Sequence, residues 1–171
     1  MNKLFDAIND QITAEMFSAY LYQAMAADME HKGFAGIAHW FTAQAQEEMV
    51  HAMKFYGYII ERGEKVILKA LETPQDTWKD PKAVFDAALA HEKYITSRIN
   101  NLYKLAQKAG DPATEIMLHW FIKEQVEEEA NANEILAKIQ LMGKTPDAMY
   151  LLDRELSTRP ILFTMPLTAA Q

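Results

Sequence analysis

The sequence predicts an all-α protein: a four-helix bundle with one long crossover between helices 2 and 3, followed by a short fifth helix. Two observations support this prediction. Four long segments place apolar residues at alternating steps of three and four, the period of a helix with one buried face. Two-residue joints connect the first segment to the second and the third to the fourth, whereas roughly 18 residues separate the middle two. This spacing is typical of two hairpins linked by a crossover.

The first two helices are predicted to span about residues 3–31 and 34–62. Lys32 and Gly33 make the joint between them. Gly63 is placed to cap the second helix, because glycine adopts the left-handed conformation at helix ends without strain. A joint this short requires the two helices to run antiparallel.

The third and fourth helices are predicted over about residues 81–109 and 112–142. Asp80 and Pro81 suit the N-cap and the first helical position, and Gly110 ends the third helix. The connector between the hairpins can extend to about 60 Å at about 3.3 Å per residue, whereas a helix of about 29 residues is about 43 Å long. The connector can therefore run the whole length of the bundle.

A fifth helix is predicted over about residues 146–157, with a narrow apolar face that requires a partner surface. That face comprises Met149, Leu152 and Leu156. We therefore divide the chain into a helical domain, residues 1–157, and an apolar tail, residues 158–171. The uncharged segment from Pro160 to Gln171 is either a frayed terminus or a segment that docks into a neighbouring subunit.

Length, charge and cysteine content exclude several classes of protein and of functional site. The 171 residues, half of them hydrophobic, are enough for one domain with a sizeable core. The formal net charge of -7 argues against nucleic-acid binding and favours cationic ligands. The absence of cysteine excludes disulfides, thiolate metal sites and cysteine nucleophiles.

The sequence predicts no targeting or membrane segment. Asp6 and Asp10 interrupt any N-terminal signal peptide, and no apolar run reaches the ~18 residues of a membrane span. We therefore expect a cytoplasmic protein without a membrane partner.

Each of the four long helices carries one glutamate near its middle, inside an otherwise apolar stripe. These glutamates, here named the stripe glutamates, are Glu15, Glu48, Glu92 and Glu128. All four lie within about three residues of their helix midpoints, or roughly 5 Å along the axis, so they can meet at one level. An ionised carboxylate in a core costs several kcal/mol unless it is paired or binds a metal. Four converging carboxylates therefore predict a pair of metal ions between them.

His51 strengthens the prediction of a metal site. It lies one turn after Glu48 on the same helix face, so the two side chains can give one ion an oxygen and a nitrogen ligand. Oxygen ligands with one nitrogen suit iron or manganese better than a structural zinc site, although zinc can compete. Each glutamate taken alone is better explained as an ordinary helix residue with a packed stem and a solvated head. The coincidence of four such glutamates with the histidine favours a shared site.

Two stretches carry a family resemblance: QEEMVHA at residues 46–52 and EQVEEEA at residues 124–130. With the glutamate pattern, they make the chain resemble the bacterial non-haem ferritins over about residues 1–157. The fold implied by this resemblance is the ferritin-like bundle, the type example of a di-iron carboxylate protein with one long crossover.

The resemblance implies a di-iron ferroxidase centre built from the stripe glutamates and His51. The ligands of the first iron would be Glu15, Glu48 and His51. Glu48 would bridge to a second iron, whose other ligands would be Glu92 and Glu128.

The resemblance also implies residues around this centre. Gln125 would lie beside the second iron, and Tyr22 would lie close to the iron pair and donate an electron. An additional iron site would share Glu128, and its other ligands would be Glu47, Glu124 and Glu127.

The function implied is iron storage and detoxification. The protein would act as a ferroxidase, oxidising Fe(II) to Fe(III) with O2 or H2O2, and would deposit ferric mineral inside a homo-oligomeric shell of 24 subunits. Two comparisons with related families bear on this expectation. Ile95 stands three residues after Glu92 and Asn131 three residues after Glu128, so the chain lacks the second ExxH motif of the pattern that bacterioferritins and rubrerythrins resemble. Met49 matches the haem-ligating methionine of bacterioferritins, but non-haem ferritins often carry methionine there too, so we do not expect haem.

Three alternatives stay open at this point. A non-storing di-iron peroxidase or oxygenase would use the same bundle, and a bacterioferritin-like protein would add haem at Met49. A metal-free helical interaction module would need none of the glutamates and would tolerate their replacement by glutamine.

Overall fold

The computed structural model describes residues 3–142 and 145–164, and within these ranges it contains five helices and no strand. The helices are α1 (Lys3–His31), α2 (Ala35–Glu61), α3 (Pro81–Ala109), α4 (Pro112–Met142) and α5 (Pro146–Leu156). The predicted all-α class, a bundle with a short C-terminal helix, is therefore confirmed. None of the helices in these two ranges is long and apolar enough to cross a membrane.

The first hairpin consists of α1 and α2, which pack together along their length. Gly33 lies in the left-handed region with a φ of 84°, and the Phe34 amide donates to the Met29 carbonyl at 2.9 Å across the joint. Phe34 itself has a φ of -99° and a ψ of 68°, which is outside the helical region. The helix α2 therefore begins one residue later than the sequence predicts.

The crossover, residues 62–80, is fastened to both ends of α1. Near the first end, the Asn9 side chain accepts a hydrogen bond from the Ile67 amide at 2.7 Å. Near the other end, the Asp28 carboxylate accepts one from the Trp78 amide at 3.0 Å. Asn9 and Asp28 are separated by about 28 Å at about 1.5 Å per helical residue. The crossover therefore runs along most of α1 and returns the chain to the end of the bundle where α3 begins.

The second hairpin consists of α3 and α4, and capping residues define both ends of α3. The Asp80 carboxylate accepts a hydrogen bond from the Ala83 amide at 2.9 Å, and Gly110 ends α3 in the left-handed conformation with a φ of 64°. The Arg62 guanidinium, just after α2, binds the Asp111 carboxylate at 2.8 Å. This ion pair ties the end of the first hairpin to the turn of the second.

The apolar core has two parts, and each long helix passes from one part to the other. The largest fully buried members of one part are Tyr22, Met25, Met29, Ile37, Phe41 and Phe85. Those of the other part are Ile8, Ile12, Phe55, Ile59, Ile95 and Phe121. The stripe glutamates occupy the layer between the two parts, since each follows one cluster and precedes the other along its helix.

The fifth helix packs on the start of α2. Leu152 and Leu156 are buried, as its apolar face predicts, and the Asp153 carboxylate accepts a hydrogen bond from the Ile37 amide at 2.9 Å. If residue 36 carried a Cβ, that atom would lie 1.7 Å from the Asp153 carbonyl oxygen. The absence of a side chain at Gly36 therefore permits the close approach of α5.

Residues 157–164, here named the C-terminal arm, continue from α5 and lie against α2. The Gln46 side chain, buried on α2, accepts hydrogen bonds from the amides of Leu162 and Phe163 at 2.8 Å and 3.1 Å. The rest of the predicted tail, residues 165–171, lies outside the described residues. The two alternatives for it, a frayed terminus and docking into a neighbouring subunit, both stay predictions.

Candidate metal centre

The four stripe glutamates lie in the interior of the bundle, each at most 4% exposed. They come from four different helices, so the layer that contains them is held by the packing of the whole bundle. The structure brings two sets of ligand atoms within 4.8 Å of one another. One set is Glu15, Glu48 and His51; the other is His51, Glu124 and Glu128.

His51 belongs to both sets because its two ring nitrogens face different carboxylates. Nδ1 lies 3.5 Å from a Glu48 oxygen, and Nε2 lies 4.0 Å from a Glu124 oxygen. The ring also packs edge-on against Trp120 at 5.4 Å between centroids, which fixes its plane. A divalent cation beside His51 would find an imidazole nitrogen and at least two carboxylate oxygens, the ligand types that iron accepts.

Glu92 is held by hydrogen bonds on both of its oxygens. The Tyr22 hydroxyl donates to Oε1, and the Gln125 amide donates to Oε2 at 3.0 Å. Tyr22 and Gln125 therefore lie in contact with a stripe glutamate, and both are buried. Glu92 belongs to neither of the two ligand sets found among the described residues.

Two glutamines that were not predicted from the sequence complete the layer. The Gln44 amide nitrogen donates to Glu48 at 3.1 Å and to Glu128 at 2.8 Å, linking two stripe glutamates from different helices. The Gln11 amide nitrogen donates to Glu15 at 2.8 Å. Each glutamine lies four residues before a stripe glutamate on the same helix face, and that spacing is a signal by which the sequence could have revealed them.

One carboxylate oxygen in the layer accepts no hydrogen bond from the described residues. Oε2 of Glu15 is buried and has no hydrogen bond from any residue that the structure describes. Leaving a buried acceptor without a partner is unfavourable, and for a charged oxygen the cost is larger. A cation coordinated by Glu15, Glu48 and His51 would supply the missing partner. The residues present therefore fit a metal ion.

The raised pKa values of the stripe glutamates also favour a bound cation. Burial first, and the charge of Glu48 second, raise the pKa of Glu15 to about 8. Burial also raises the pKa values of Glu48, Glu92 and Glu128, and the Glu92 charge adds to this for Glu48 and Glu128. Without cations, carboxylates of this layer therefore hold protons at neutral pH. Cations would release those protons and keep the carboxylates ionised.

The side chains predicted to bind an additional iron do not form one cluster among the described residues. Glu124 lies near His51 and Glu128, whereas Glu127 is exposed and belongs to neither ligand set in the described part of the chain. The Glu47 carboxylate is ion-paired with the Arg159 guanidinium at 2.5 Å. Arg159 was not among the predicted site residues, and no periodicity of the helices points to it.

Comparisons with known proteins agree with this architecture. A family profile described as "Ferritin-like domain" matches residues 5–142. A bacterial non-heme ferritin of Bacteroides fragilis is 39% identical over 157 residues, which cover 92% of this chain and 98% of that protein. One from Staphylococcus haemolyticus is 38% identical over 156 residues, covering 91% and 94%.

Solved structures give the same result. The open pore ferritin of the archaeon Archaeoglobus fulgidus superposes with a TM-score of 0.92 at 42% identity, covering 94% of this chain and 99% of that one. A humanized archaeal ferritin superposes with the same TM-score at 40% identity, covering 94% and 98%.

Proposed function

The chain belongs to the ferritin family, and on that premise we propose that it stores iron, oxidising Fe(II) at the buried carboxylate layer and keeping the product as ferric mineral. The observation that carries the proposal is the buried set of Glu15, Glu48 and His51, whose ligand atoms lie within 4.8 Å of one another. The second oxygen of Glu15 accepts no hydrogen bond from any described residue.

In this proposal Fe(II) is the substrate, and two ions bind side by side. Glu15, Glu48 and His51 bind the first, and Glu48 bridges to the second, which Glu92 and Glu128 bind. Gln44 donates to Glu48 and Glu128, so it orients two of these carboxylates. Orienting groups of this kind commonly change metal affinity or activity by about 10- to 100-fold when they are removed. Each Fe(II) gives one electron to O2 or H2O2, which is the oxidant.

Tyr22 is proposed to act as an additional electron donor. Its hydroxyl donates to Glu92, and burial together with the neighbouring carboxylates raises its pKa well above the ordinary value. Tyr22 is therefore a neutral phenol at physiological pH, hydrogen-bonded to a ligand of the second iron. Gln125, which also donates to Glu92, holds that carboxylate from the other side.

The proposed product then leaves the centre. Only the first iron has a histidine ligand, so the second iron is held by carboxylate oxygens alone and is the more exchangeable of the two. Glu124, 28% exposed and 4.0 Å from His51, is placed to receive an ion between the centre and solvent. Glu47 and Glu127 are proposed to complete that additional position. The mineral would collect inside a shell of 24 subunits.

Aerobic iron loading tests the proposal. Metal-free protein is mixed with Fe(II) in air and passed over a size-exclusion column with light scattering, and the iron that elutes with the protein is counted. We expect a particle of about 24 subunits that carries hundreds of irons or more. A small oligomer that keeps about two irons per chain would instead identify a non-storing di-iron enzyme.

Matched variants make the test specific to the carboxylate layer. Glu48→Gln removes one charge from the proposed bridge, and we expect it to lose rapid Fe(II) oxidation. Glu61→Gln removes the same charge from an exposed position at the end of the same helix and should behave as the unmodified protein. If both variants oxidise Fe(II) as fast as the unmodified protein, oxidation does not take place at the carboxylate layer. If neither they nor the unmodified protein oxidise Fe(II) faster than buffer, the metal-free interaction module is favoured.

A further inference from the structure

The C-terminal arm is fixed on α2 at the level of the candidate centre. The Gln46 side-chain amide makes three hydrogen bonds with the backbone of the arm. Its oxygen accepts from the Leu162 and Phe163 amides, and its nitrogen donates to the Phe163 carbonyl at 2.8 Å. His39, on the same helix, contacts the Arg159 carbonyl oxygen at 2.8 Å. These contacts place the Arg159 side chain over the middle of α2.

Arg159 makes three further contacts through its guanidinium. Its centre lies 4.4 Å from the centroid of the Trp40 ring, and one nitrogen reaches the Trp40 carbonyl at 3.5 Å. Another nitrogen donates to the Glu47 carboxylate at 2.5 Å. The Arg159 side chain is 15% exposed and the Glu47 side chain is 35% exposed, so the guanidinium is shielded from water whereas the carboxylate is partly open to it. A charge-assisted hydrogen bond whose donor is also packed on an aromatic ring is held more firmly than an ion pair between two freely exposed side chains.

Glu47 directly precedes Glu48 in the chain and lies close enough to affect Glu128. Burial raises the pKa of Glu128 most, and the negative charge of Glu47 is among the charges that raise it further. The guanidinium therefore neutralises a carboxylate at the edge of the metal centre. A divalent cation bound to that carboxylate would lie next to the guanidinium and would be repelled by it.

We propose that Arg159 is a tethered competitor for the additional cation position: it occupies Glu47, so that a cation can bind there only by displacing the C-terminal arm's guanidinium. This inference rests on the proposed function, because it concerns the third position beside the proposed iron pair. Because the arm is part of the same chain and clamped by Gln46, the guanidinium competes at a high effective concentration. Cations should consequently fill the Glu15, Glu48 and His51 set first and Glu47 last.

Zn²⁺ titration of the assembled, metal-free protein by calorimetry tests this order without requiring iron oxidation. We expect the Arg159→Gln variant to bind a third Zn²⁺ per chain at least tenfold more tightly, with the first two unchanged within twofold. Arg154→Gln removes the same charge from an exposed position on α5 and should match the unmodified protein. A double variant, Arg159→Gln with Glu47→Gln, should lose the gain, because the competition acts through Glu47.

The outcomes separate this inference from the function on which it rests. If the first two Zn²⁺ ions bind normally and the third is unchanged or weaker in Arg159→Gln, Arg159 does not compete and the inference is overturned alone. A gain that persists in the double variant would also overturn it, because the effect would then not involve Glu47. If no Zn²⁺ binds to any of the variants, the proposed metal centre fails, and the competition fails with it.

Discussion

Glu15 is a buried carboxylate whose partners are incomplete. Gln11 donates to one oxygen at 2.8 Å, and the other has no hydrogen bond from a described residue. Burial first, and Glu48 second, raise its pKa from 4.5 to about 8. Between these two values the folded, metal-free protein binds a proton that the unfolded chain does not. Its stability therefore falls as the pH rises through this window.

We expect Glu15→Gln to increase the free energy of unfolding of the metal-free protein by about 3 kcal/mol at pH 7, because glutamine keeps the acceptor for Gln11 and carries no charge. Near pH 4.5 the gain should be small, since the unfolded chain also begins to bind the proton there and folding no longer requires its uptake. Urea unfolding at both pH values, with a chelator and at fixed protein concentration, measures the difference. Glu30→Gln, an exposed change on the same helix, should have little effect at either pH. An equal gain for Glu15→Gln at both pH values would contradict the raised pKa of Glu15.

Residue by residue, the sequence reveals the charged groups of the centre better than their partners. Glu15 and Glu48 are detectable because each places a charged residue where the repeat of three and four residues predicts an apolar one. Gln44 and Gln11 break the same stripes, but an uncharged amide conflicts less and is easily read as a helix-surface residue. The Glu47 partner, Arg159, is more than a hundred residues away in a segment without periodicity, so only the folded chain shows it. The iron-binding roles themselves stay predictions.

At the scale of elements, Asp28 fastens the crossover to α1. Burial alone would raise the pKa of this carboxyl, but hydrogen bonds from Lys32 and from the Trp78 amide, with the Lys32 charge, outweigh burial and lower it. A lowered pKa means that the contribution to stability is present above the unfolded value of 3.8 and is lost as the pH falls through the folded value.

We expect Asp28→Ala to destabilise the protein by about 1 to 3 kcal/mol at pH 7, because the Trp78 amide and Lys32 lose a shared buried acceptor. The difference from the unmodified protein should shrink as the pH falls below 3.8. Thermal unfolding across this pH range measures it. Asp86→Ala, at an exposed position on α3, should change the midpoint little. A pH-independent difference for Asp28→Ala would show that its charge is not involved.

The contact between α2 and α5 gives a second element-scale prediction. A Cβ at Gly36 would lie 1.7 Å from the Asp153 carbonyl oxygen, so Gly36→Ala must displace α5. We expect a loss of about 2 kcal/mol or more, with faster hydrogen exchange confined to α5 and the start of α2. Gly57→Ala is the matched control on the same helix, because a Cβ there meets nothing within 4 Å. It should stabilise by up to about 1 kcal/mol. Similar effects at both glycines would contradict the close approach.

The elements were easier to predict than their docking. Caps such as Asp80 and Gly110 act within a few residues, so they fix helix ends locally, and the two short joints leave only antiparallel hairpins. The position of α5 depends instead on a missing side chain at Gly36 and on the Asp153 carboxylate, which bonds the Ile37 amide from a distant part of the chain. Contacts of this kind have no period and no local spacing. The sequence therefore predicts that α5 has an apolar face but not which helix covers it.

At the scale of the whole molecule, the bundle is two apolar clusters separated by a polar layer. Each long helix contributes to both clusters and places its glutamate between them. The arrangement is stable only if the buried carboxylates are protonated, hydrogen-bonded or bound to cations. The division of the chain into a domain of residues 1–157 and a tail of residues 158–171 remains a prediction, although the first part of that tail lies against α2.

Because the layer joins all four long helices, a cation in it should stabilise the entire bundle. Binding to the folded state alone adds about 2.7 kcal/mol at a free ligand concentration about 100 times the dissociation constant. We expect Zn²⁺ to raise the thermal midpoint of the metal-free protein in a concentration-dependent way, and His51→Ala to lose most of that rise. His119→Ala, an exposed histidine on α4, should retain it. If His51→Ala and His119→Ala respond equally to Zn²⁺, the stabilising cation binds outside the carboxylate layer, and the layer is held together by protons and hydrogen bonds instead.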